Sequence, residues 1–461
     1  MDAKAFMEQP WASGGVLIVC VIIAMLLANM PWTRELYHQI LETSLSMSIQ
    51  SPTDPETGVR AINWVFPHEM TVERFINDIM MVVFFFTVGL EIKREVICGE
   101  LSSVKKAMMP VIAAAGGMAM PALIFTLFNH GTHGASGWGI PTATDIAFAV
   151  GIMSILGKRV PVSLKVFLTA LAIADDLIAI LVVALFYGGD INLTLLGVAV
   201  VVILFVALMK RLGEKRIGFY FVPAIIVWFL FYYSGIHATM TGVVIAMLIP
   251  MEARYNQAKW HRRHKILYEG LLEAEAVHTA EDFPNGPERH FLRRISSLTK
   301  KAIPPSYRLE HKLNPIVNFA IMPVFALANA GVEITDISYF NVFKAVDPTL
   351  GSVGLGIFLG LLLGKPLGIT AASWIAIKCK VGAMPSKSSW PMLFAVACLG
   401  GIGFTMSIFV DTLSFAAPDI APEVTQHLRD AGKIAVLLGS LTAGVLGSFL
   451  ITLVAKIEKK K

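Results

Sequence analysis

The sequence predicts an all-α membrane protein with about 12 transmembrane helices, because its composition, apolar block lengths and loop charges agree. Hydrophobic residues make up 55% of the 461-residue chain and charged residues 15%, whereas a typical soluble domain carries about 25% charged residues. The apolar residues fall in blocks of roughly 17 to 28, the length that a helix needs to cross about 30 Å of hydrocarbon. We therefore treat residues 1–461 as a single polytopic domain.

Twelve apolar blocks are the predicted spans, and only Tyr233-Ser234-Gly235 separates the seventh from the eighth. Their ranges are 14–30, 72–95, 104–128, 142–157, 160–187, 192–210, 215–233, 236–250, 313–331, 350–378, 390–412 and 430–456. From the second span onward, lysines and arginines concentrate in alternate connections, whereas 129–141, 188–191 and 233–235 contain neither. Because basic loops stay in the cytoplasm, this alternation predicts an even number of spans with both termini cytoplasmic.

The placement of the basic residues and of the cysteines argues against a nucleic-acid-binding protein and against a metal or disulfide site. The net charge is +5, but the basic residues are dispersed and lack the aromatic-studded basic face of a nucleic-acid-binding protein. The four cysteines have neither metal-site nor disulfide spacing, and we expect inert small hydrophobes at Cys20, Cys98, Cys379 and Cys398.

Two long connections interrupt the series of spans. Residues 31–71 are predicted to be an extracytoplasmic loop, and the turn signals Pro52, Asp54, Pro55 and Gly58 favour a hairpin there. Residues 252–312 are predicted to be a cytoplasmic loop with a helical stretch at 267–278 followed by several prolines. This second segment is either a solvated loop or a regulatory appendage.

Four charges fall in the middle of predicted spans, where each costs about 2.5–3.5 kcal/mol. They are Asp145, Asp175, Asp176 and Lys365. Consecutive helical residues point about 100° apart, so Asp175 and Asp176 cannot share a direction: one can face a cavity while the other faces a neighbouring helix. Such a pair in low dielectric suits a site for a proton or a hard cation. The structural alternative is two capping acids at a span boundary.

Asp145 and Lys365 have distinctive neighbours. Asp145 follows Pro141 and two threonines, which indicates either non-helical backbone inside the membrane or an ordinary N-cap. The two interpretations agree if the cap belongs to a half-helix. Lys365 precedes Pro366, which predicts a kink, and lies beside a seam of glycines at every fourth position. We expect Lys365 to pair with a buried carboxylate. The seam consists of Gly356, Gly360, Gly364 and Gly368.

The glycines at 400, 401 and 403 predict either close packing or an interrupted eleventh span, since each weakens a helix by nearly 1 kcal/mol. The fourth and eleventh spans are then both interrupted, and each is the middle member of a three-span group. By the charge rule, spans 3–5 and 10–12 start on opposite sides of the membrane. This arrangement predicts an inverted-topology repeat with an ion site at the midplane.

Seven motifs in order along the whole chain resemble the NhaA-type sodium/proton antiporters, which are known for inverted repeats and broken helices. The motifs are VGLEIKRE (88–95), TATDIAF (142–148), the acidic pair (175–176), SGIHAT (234–239), FALANAG (325–331), GKPLG (364–368) and GIGFTMS (401–407). The resemblance implies an antiporter of the bacterial inner membrane, not an enzyme. It would exchange cytoplasmic sodium or lithium for external protons as a homodimer that needs no cofactor.

The resemblance also implies residue roles. Asp176 would be the central ion and proton ligand, and Asp175 would pair with Lys365 when the ion is absent. Thr144 and Asp145 would lie where the broken helices cross. A pH-sensing cluster at the cytoplasmic funnel would comprise Glu91, Arg94, Glu95, Glu310 and His311, for which ordinary interfacial charge is the alternative. Asn314 departs from the histidine that is common in the family.

Two rival functions follow from intramembrane acids. An intramembrane aspartyl protease needs acids on different helices that converge on one water, which an adjacent pair cannot do. Another cation/proton-coupled carrier or a cation channel stays open, because acids in a pore also bind cations.

Overall fold

The predicted all-α membrane fold is confirmed by a computed structural model, and each of the twelve predicted ranges contains at least one helix. The structure describes residues 7, 9, 11–45, 47–50, 63–66, 70–189, 191–253, 255, 257–276, 284–334, 350–386, 388–415 and 422–459. The helices are α1 Ala12–Asn29, α2 Arg34–Glu42, α3 Val72–Cys98, α4 Val104–Asn129, α5 Ile146–Leu156, α6 Val162–Phe186, α7 Leu193–Arg211, α8 Gly218–Ser234, α9 Met240–Leu248, α10 Gln257–Ala276, α11 Gly286–Ala302, α12 Pro305–Ile316, α13 Met322–Asn329, α14 Val353–Lys378, α15 Trp390–Leu399, α16 Phe404–Ser414 and α17 Pro422–Glu458.

Not every predicted span is long enough to cross a bilayer unaided. Within the described residues, 8 helices are long and apolar enough to do so, and α15 with α16 forms a further bent span. By contrast, α8 has 17 residues and α9 only 9. A helix rises 1.5 Å per residue, so α9 cannot span the hydrocarbon alone. The count of 12 crossings and the inverted repeat stay predictions.

The bundle has two ends that differ in charge. What we call the basic end holds the connections 99–103, 157–161, 212–217, 249–253 and 379–386, and a contact there joins the Ser163 hydroxyl to the Ser386 carbonyl at 2.5 Å. The far end holds the connections 130–132, 187–189, 235–239 and 330–334. Its segments are also tied together, since the Asn192 amide donates to the Ser234 carbonyl at 2.9 Å. Each of these two contacts joins segments that the loop charges assign to the same side.

The glycine seam of α14 lies against α4 and the segment that follows α4. Glycines at every fourth position predict such a packing face. A Cβ on Gly368 would come within 2.1 Å of the Gly116 carbonyl oxygen, and one on Gly364 within 2.8 Å of Pro121. Close approach of this kind is how small residues join helices in a membrane, where no hydrophobic effect drives association. Together with the apolar core, this contact fixes α14, and with it Lys365, beside α4.

The long connections contain more structure than a loop. Residues 252–312 were predicted to be a cytoplasmic loop, but α10 and α11 pack against each other there, with Gly270 against Phe291. The helix also begins at Gln257, ten residues before the predicted helical stretch. The two helices pack because each is amphipathic. They are polar overall, but apolar residues such as Leu271 and Leu298 are buried.

In the first connection, Met47–Gln50 pairs antiparallel with Asn63–Phe66. The predicted turn residues Pro52, Asp54, Pro55 and Gly58 lie outside the described residues.

Candidate ion-binding site

Two stretches of unwound backbone cross inside the bundle. The first is 143–145, between a 3₁₀ helix His133–Thr142 and α5, and the second is the glycine segment between α15 and α16, where the helix axis bends by 52°. The Asp145 amide donates to the Ile402 carbonyl at 2.6 Å, and the Thr144 hydroxyl donates to the Gly400 carbonyl at 2.9 Å. The predicted interruption of both spans is therefore confirmed, and each break satisfies backbone groups of the other.

Asp145 caps both half-helices that start at this crossing. One carboxylate oxygen accepts the Phe148 amide of α5 at 3.2 Å, and the other accepts the Thr405 amide of α16 at 3.2 Å and the Thr405 hydroxyl. Helix N-termini carry partial positive charge, so two of them close together would repel each other without an anion between them. The Asp145 carboxylate supplies the negative charge between the two N-termini. The N-cap and the unwound membrane segment are thus the same feature.

Lys365 is fully buried and pairs with Asp175. Its Nζ lies 2.6 Å from an Asp175 carboxylate oxygen and 2.9 Å from the Thr144 hydroxyl. A π-helical turn, Gly360–Gly364, directly precedes Lys365 where the sequence predicts a kink. Pro366 cannot donate to the carbonyl one turn earlier, and the π turn is where the hydrogen-bond pattern is disturbed. The pair brings α6 and α14 together at the crossing.

Asp176 points elsewhere. It is 3% exposed, and its Oδ1 has no hydrogen-bond partner among the described residues. Its side chain lines a cavity of about 360 Å³ that also touches Thr144, Asp145 and Thr405 at the crossing. Toward the basic end, the same cavity reaches Glu91 and Asn314. The adjacent acids therefore diverge as helical geometry predicts: one faces a lysine and one faces a cavity.

Oxygen-bearing side chains line the cavity. Among the described residues, no group of three or more His, Cys, Asp and Glu side chains could hold a metal. Asp176 would therefore act with hydroxyl oxygens, such as that of Thr169 on the same cavity, and with water. Oxygen ligands with a single free carboxylate suit a hard cation that must also leave.

Four of the five predicted pH-sensing residues form one cluster near the basic end. Arg94 lies 2.6 Å from a Glu95 oxygen, 3.0 Å from a Glu310 oxygen and 3.9 Å from a Glu91 oxygen. His311 instead stacks on Tyr307 and forms no ion pair with the other described members of the set. Glu91 alone of the cluster lines the Asp176 cavity.

Among the described residues, three further buried charges lie in or beside the predicted spans, where the sequence pattern did not single them out. Lys93 donates to the Met247 carbonyl at 2.7 Å and to the Ile249 carbonyl, and so satisfies the C-terminal end of α9. Asp411 and Lys433 lie within four residues of the end of one predicted span and the start of the next, where charges are normally solvated. In the structure they are 0% and 7% exposed. Apolar residues on both sides of Asp411 were the available signal.

Comparison with known proteins agrees with the motif resemblance. The family model described as Na+/H+ antiporter 1 matches residues 4–451. The Na(+)/H(+) antiporter NhaA of Acidithiobacillus ferrooxidans is 40% identical over 452 residues, 96% of this chain and 95% of that relative. The NhaA of Pelagibacter ubique is 40% identical over 454 residues, 98% of this chain and 97% of that relative.

A solved structure is also similar, more remotely. The sodium proton antiporter MjNhaP1 from Methanocaldococcus jannaschii at pH 8 covers 96% of this chain and 97% of its own, at 14% identity and a TM-score of 0.46. That similarity is too low to support a shared function. The match to the family model and the nearly full-length relatives decide the assignment: the chain belongs to the Na+/H+ antiporter 1 family.

Proposed function

We propose that this chain exchanges sodium ions for protons across a membrane, and that Asp176 is the carboxylate that binds either ion. The relatives that it matches over nearly their full length are named Na+/H+ antiporters. The observation that carries the site assignment is the difference within the acidic pair. Asp175 is neutralised by Lys365, whereas Asp176 has an unpartnered oxygen and lines a cavity.

Competition for one carboxylate is sufficient to couple the two ions. A proton and a sodium ion both neutralise Asp176, and the site holds one of them at a time. A proton that enters down its gradient therefore displaces sodium, and sodium that binds displaces a proton. The cavity gives Asp176 a route to the basic end, and a conformational change would expose it to the far end. Lys365 and Asp145 would hold the crossing together during the change.

Exchange and conduction are distinguished by flux in liposomes. We expect an imposed proton gradient to drive sodium uptake by liposomes that contain the purified chain, and we expect labelled sodium to show saturable counterflow. A cation channel would instead give a current that does not saturate and needs no proton gradient. A large single-channel current would defeat the proposal.

The orientation of the protein can be fixed in the same preparation. Cys98 and Cys379 are exposed, contrary to the expectation that all four cysteines are inert hydrophobes, because each lies at the end of its helix. Both are at the basic end, which the positive-inside rule places in the cytoplasm. A membrane-impermeant maleimide should label them in inside-out vesicles and not in right-side-out vesicles. The reverse labelling would invert the proposed topology, in which the bacterial inner membrane holds the chain with both termini cytoplasmic.

The Arg94 cluster is proposed to set the pH dependence of exchange. Three carboxylates share one arginine, whose positive charge stabilises their ionised forms. If exchange requires the ionised cluster, Arg94→Gln should shift half-maximal activity to higher pH by about one unit or more. The control Arg159→Gln removes a basic-end charge outside the cluster. Equal profiles for Arg94→Gln and the wild type would leave the cluster with only an interfacial role.

Two further features stay proposals that rest on the family resemblance. Lithium would be carried at the same site, which competition between lithium and sodium uptake tests. The protein would be a homodimer, and native mass spectrometry of the detergent-solubilised chain would reveal a monomer if it is not.

A further inference from the structure

Another buried acid lies away from the crossing. Asp411 on α16 is 0% exposed, and neither of its carboxylate oxygens has a hydrogen-bond partner among the described residues. Counted along α16 from Thr405, which binds Asp145, it lies about 9 Å toward the far end. Asp411 is therefore on the opposite side of the crossing from the cavity that opens toward the basic end.

The surroundings of Asp411 are charged but do not bind it. A Cβ on Gly432 of α17 would come within 2.0 Å of one Asp411 oxygen, so the carboxylate lies directly on the backbone of α17. The charged and titratable groups within electrostatic range are Lys433, Arg429 and Asp430 on α17 and Tyr187 at the end of α6. Arg429 donates to the Thr412 carbonyl at 3.1 Å, and Asp430 accepts from Gln426 at 3.1 Å.

Hydrogen bonding within the described part of the fold does not account for this arrangement. Buried polar groups in folded proteins are almost always hydrogen-bonded, and an acid inside a membrane is costly unless it serves a function. Asp145 and Asp175 follow the rule, since each has close donors. Asp411 shares with Asp176 the property of a buried oxygen without a donor.

The chemistry of the pocket favours a proton over a sodium ion. A hard cation needs several oxygen ligands, and among the described residues Asp411 belongs to no group of three or more His, Cys, Asp and Glu side chains that could hold a metal. A proton needs only one lone pair. We propose that Asp411 is a proton-carrying carboxyl for the far-end half of the exchange pathway. An O–H bond forms at an Asp411 oxygen when a proton arrives from the far end. It breaks when the proton passes inward, which regenerates the carboxylate.

Titratable groups within electrostatic range of one another lie between a cavity at the far end and this acid. His38 on α2 lines a cavity of about 660 Å³ together with Glu35, Glu42 and Glu333. His38 is also within electrostatic range of Asp430, which in turn is within range of Asp411. Chains of acids and histidines of this kind are how membrane proteins relay protons. The relay rests on the proposed function, because it supplies protons to Asp176.

The test separates the two sides of the membrane. In vesicles of defined orientation, Asp411→Asn should shift half-maximal exchange to lower pH by about one unit or more when only the far-end pH is varied. The apparent sodium affinity at the basic end should not change. Asp411→Glu should restore the wild-type profile. Asp430→Asn, which removes the preceding member of the proposed relay, should shift the profile in the same direction. Glu423→Gln, which changes an exposed acid of α17 outside the relay, should leave it unchanged.

Infrared spectroscopy gives a readout that does not need transport. The pH-difference spectrum of the wild-type protein should contain a protonated-carboxyl band that Asp411→Asn lacks and Asp176→Asn keeps. If Asp411→Asn does not fold, the band should move in Asp411→Glu instead. A band unchanged in both Asp411 variants, or a wild-type far-end pH profile in folded Asp411→Asn, would overturn the proposal. Absent exchange by the wild type with the band intact would count against the proposed function alone.

Discussion

Asp176→Asn is expected to reduce proton-driven sodium uptake to the level of empty liposomes while the protein still folds. Asparagine keeps the shape of the side chain but can neither carry the negative charge that attracts sodium nor accept a proton. The Asp176 oxygen that lacks a partner loses no hydrogen bond in the variant, so we expect a free energy of unfolding within about 1 kcal/mol of the wild type. Uptake of labelled sodium and thermal unfolding in detergent check the two parts.

Asp175→Asn is the matched comparison, because it changes the neighbouring acid in the same way. Its carboxylate binds Lys365, so this variant removes the charge partner of a fully buried lysine and should lower stability as well as transport. Sodium uptake by Asp176→Asn equal to that of the wild type would remove Asp176 from the site. Equal destabilisation by both variants would contradict the different environments described for the two acids.

Lys365→Ala is expected to cost about 3–5 kcal/mol of folding free energy. Lys365 and Asp175 are 0% and 1% exposed, and their charged atoms lie 2.6 Å apart. Removal of the lysine leaves the Asp175 carboxylate buried without its counter-charge, which is the costly step, and it also removes a donor from Thr144. Denaturant titration of the purified protein in detergent measures the change in folding free energy.

The double variant Asp175→Asn with Lys365→Met identifies the cause. It removes both charges, so it should recover most of the stability that Lys365→Ala loses. The control Lys165→Met, a half-buried lysine near the start of α6, should stay within about 0.5 kcal/mol of the wild type. A double variant no more stable than Lys365→Ala would mean that packing of the lysine stem, rather than the ion pair, holds α14.

The apolar helices and the four charges in the middle of predicted spans were predictable because the bilayer imposes simple rules. A long apolar block has few alternatives to a membrane helix, and a charge within it is too costly to be accidental. The divergence of Asp175 and Asp176 follows from helical geometry alone. The motif resemblance then implied the pairing of Lys365 with Asp175, which the structure contains.

Other features depend on tertiary contacts that no local pattern encodes. That Asp145 caps two half-helices at once requires the two breaks to meet, although their residues lie far apart in the chain. Asp411 resembles a span-boundary acid in the sequence and becomes buried because Gly432 lets α17 lie against it. The polar helices α10 and α11 become stable through the face that each presents to the other.

Proton release on sodium binding tests the central claim most directly. The purified wild-type chain in detergent, weakly buffered at a pH where Asp176 holds a proton, should acidify the medium in proportion to the sodium that binds. Asp176→Asn should bind little sodium and release no protons. Sodium binding to the wild type without proton release, or equal release by Asp176→Asn, would contradict a single carboxylate shared by the two ions.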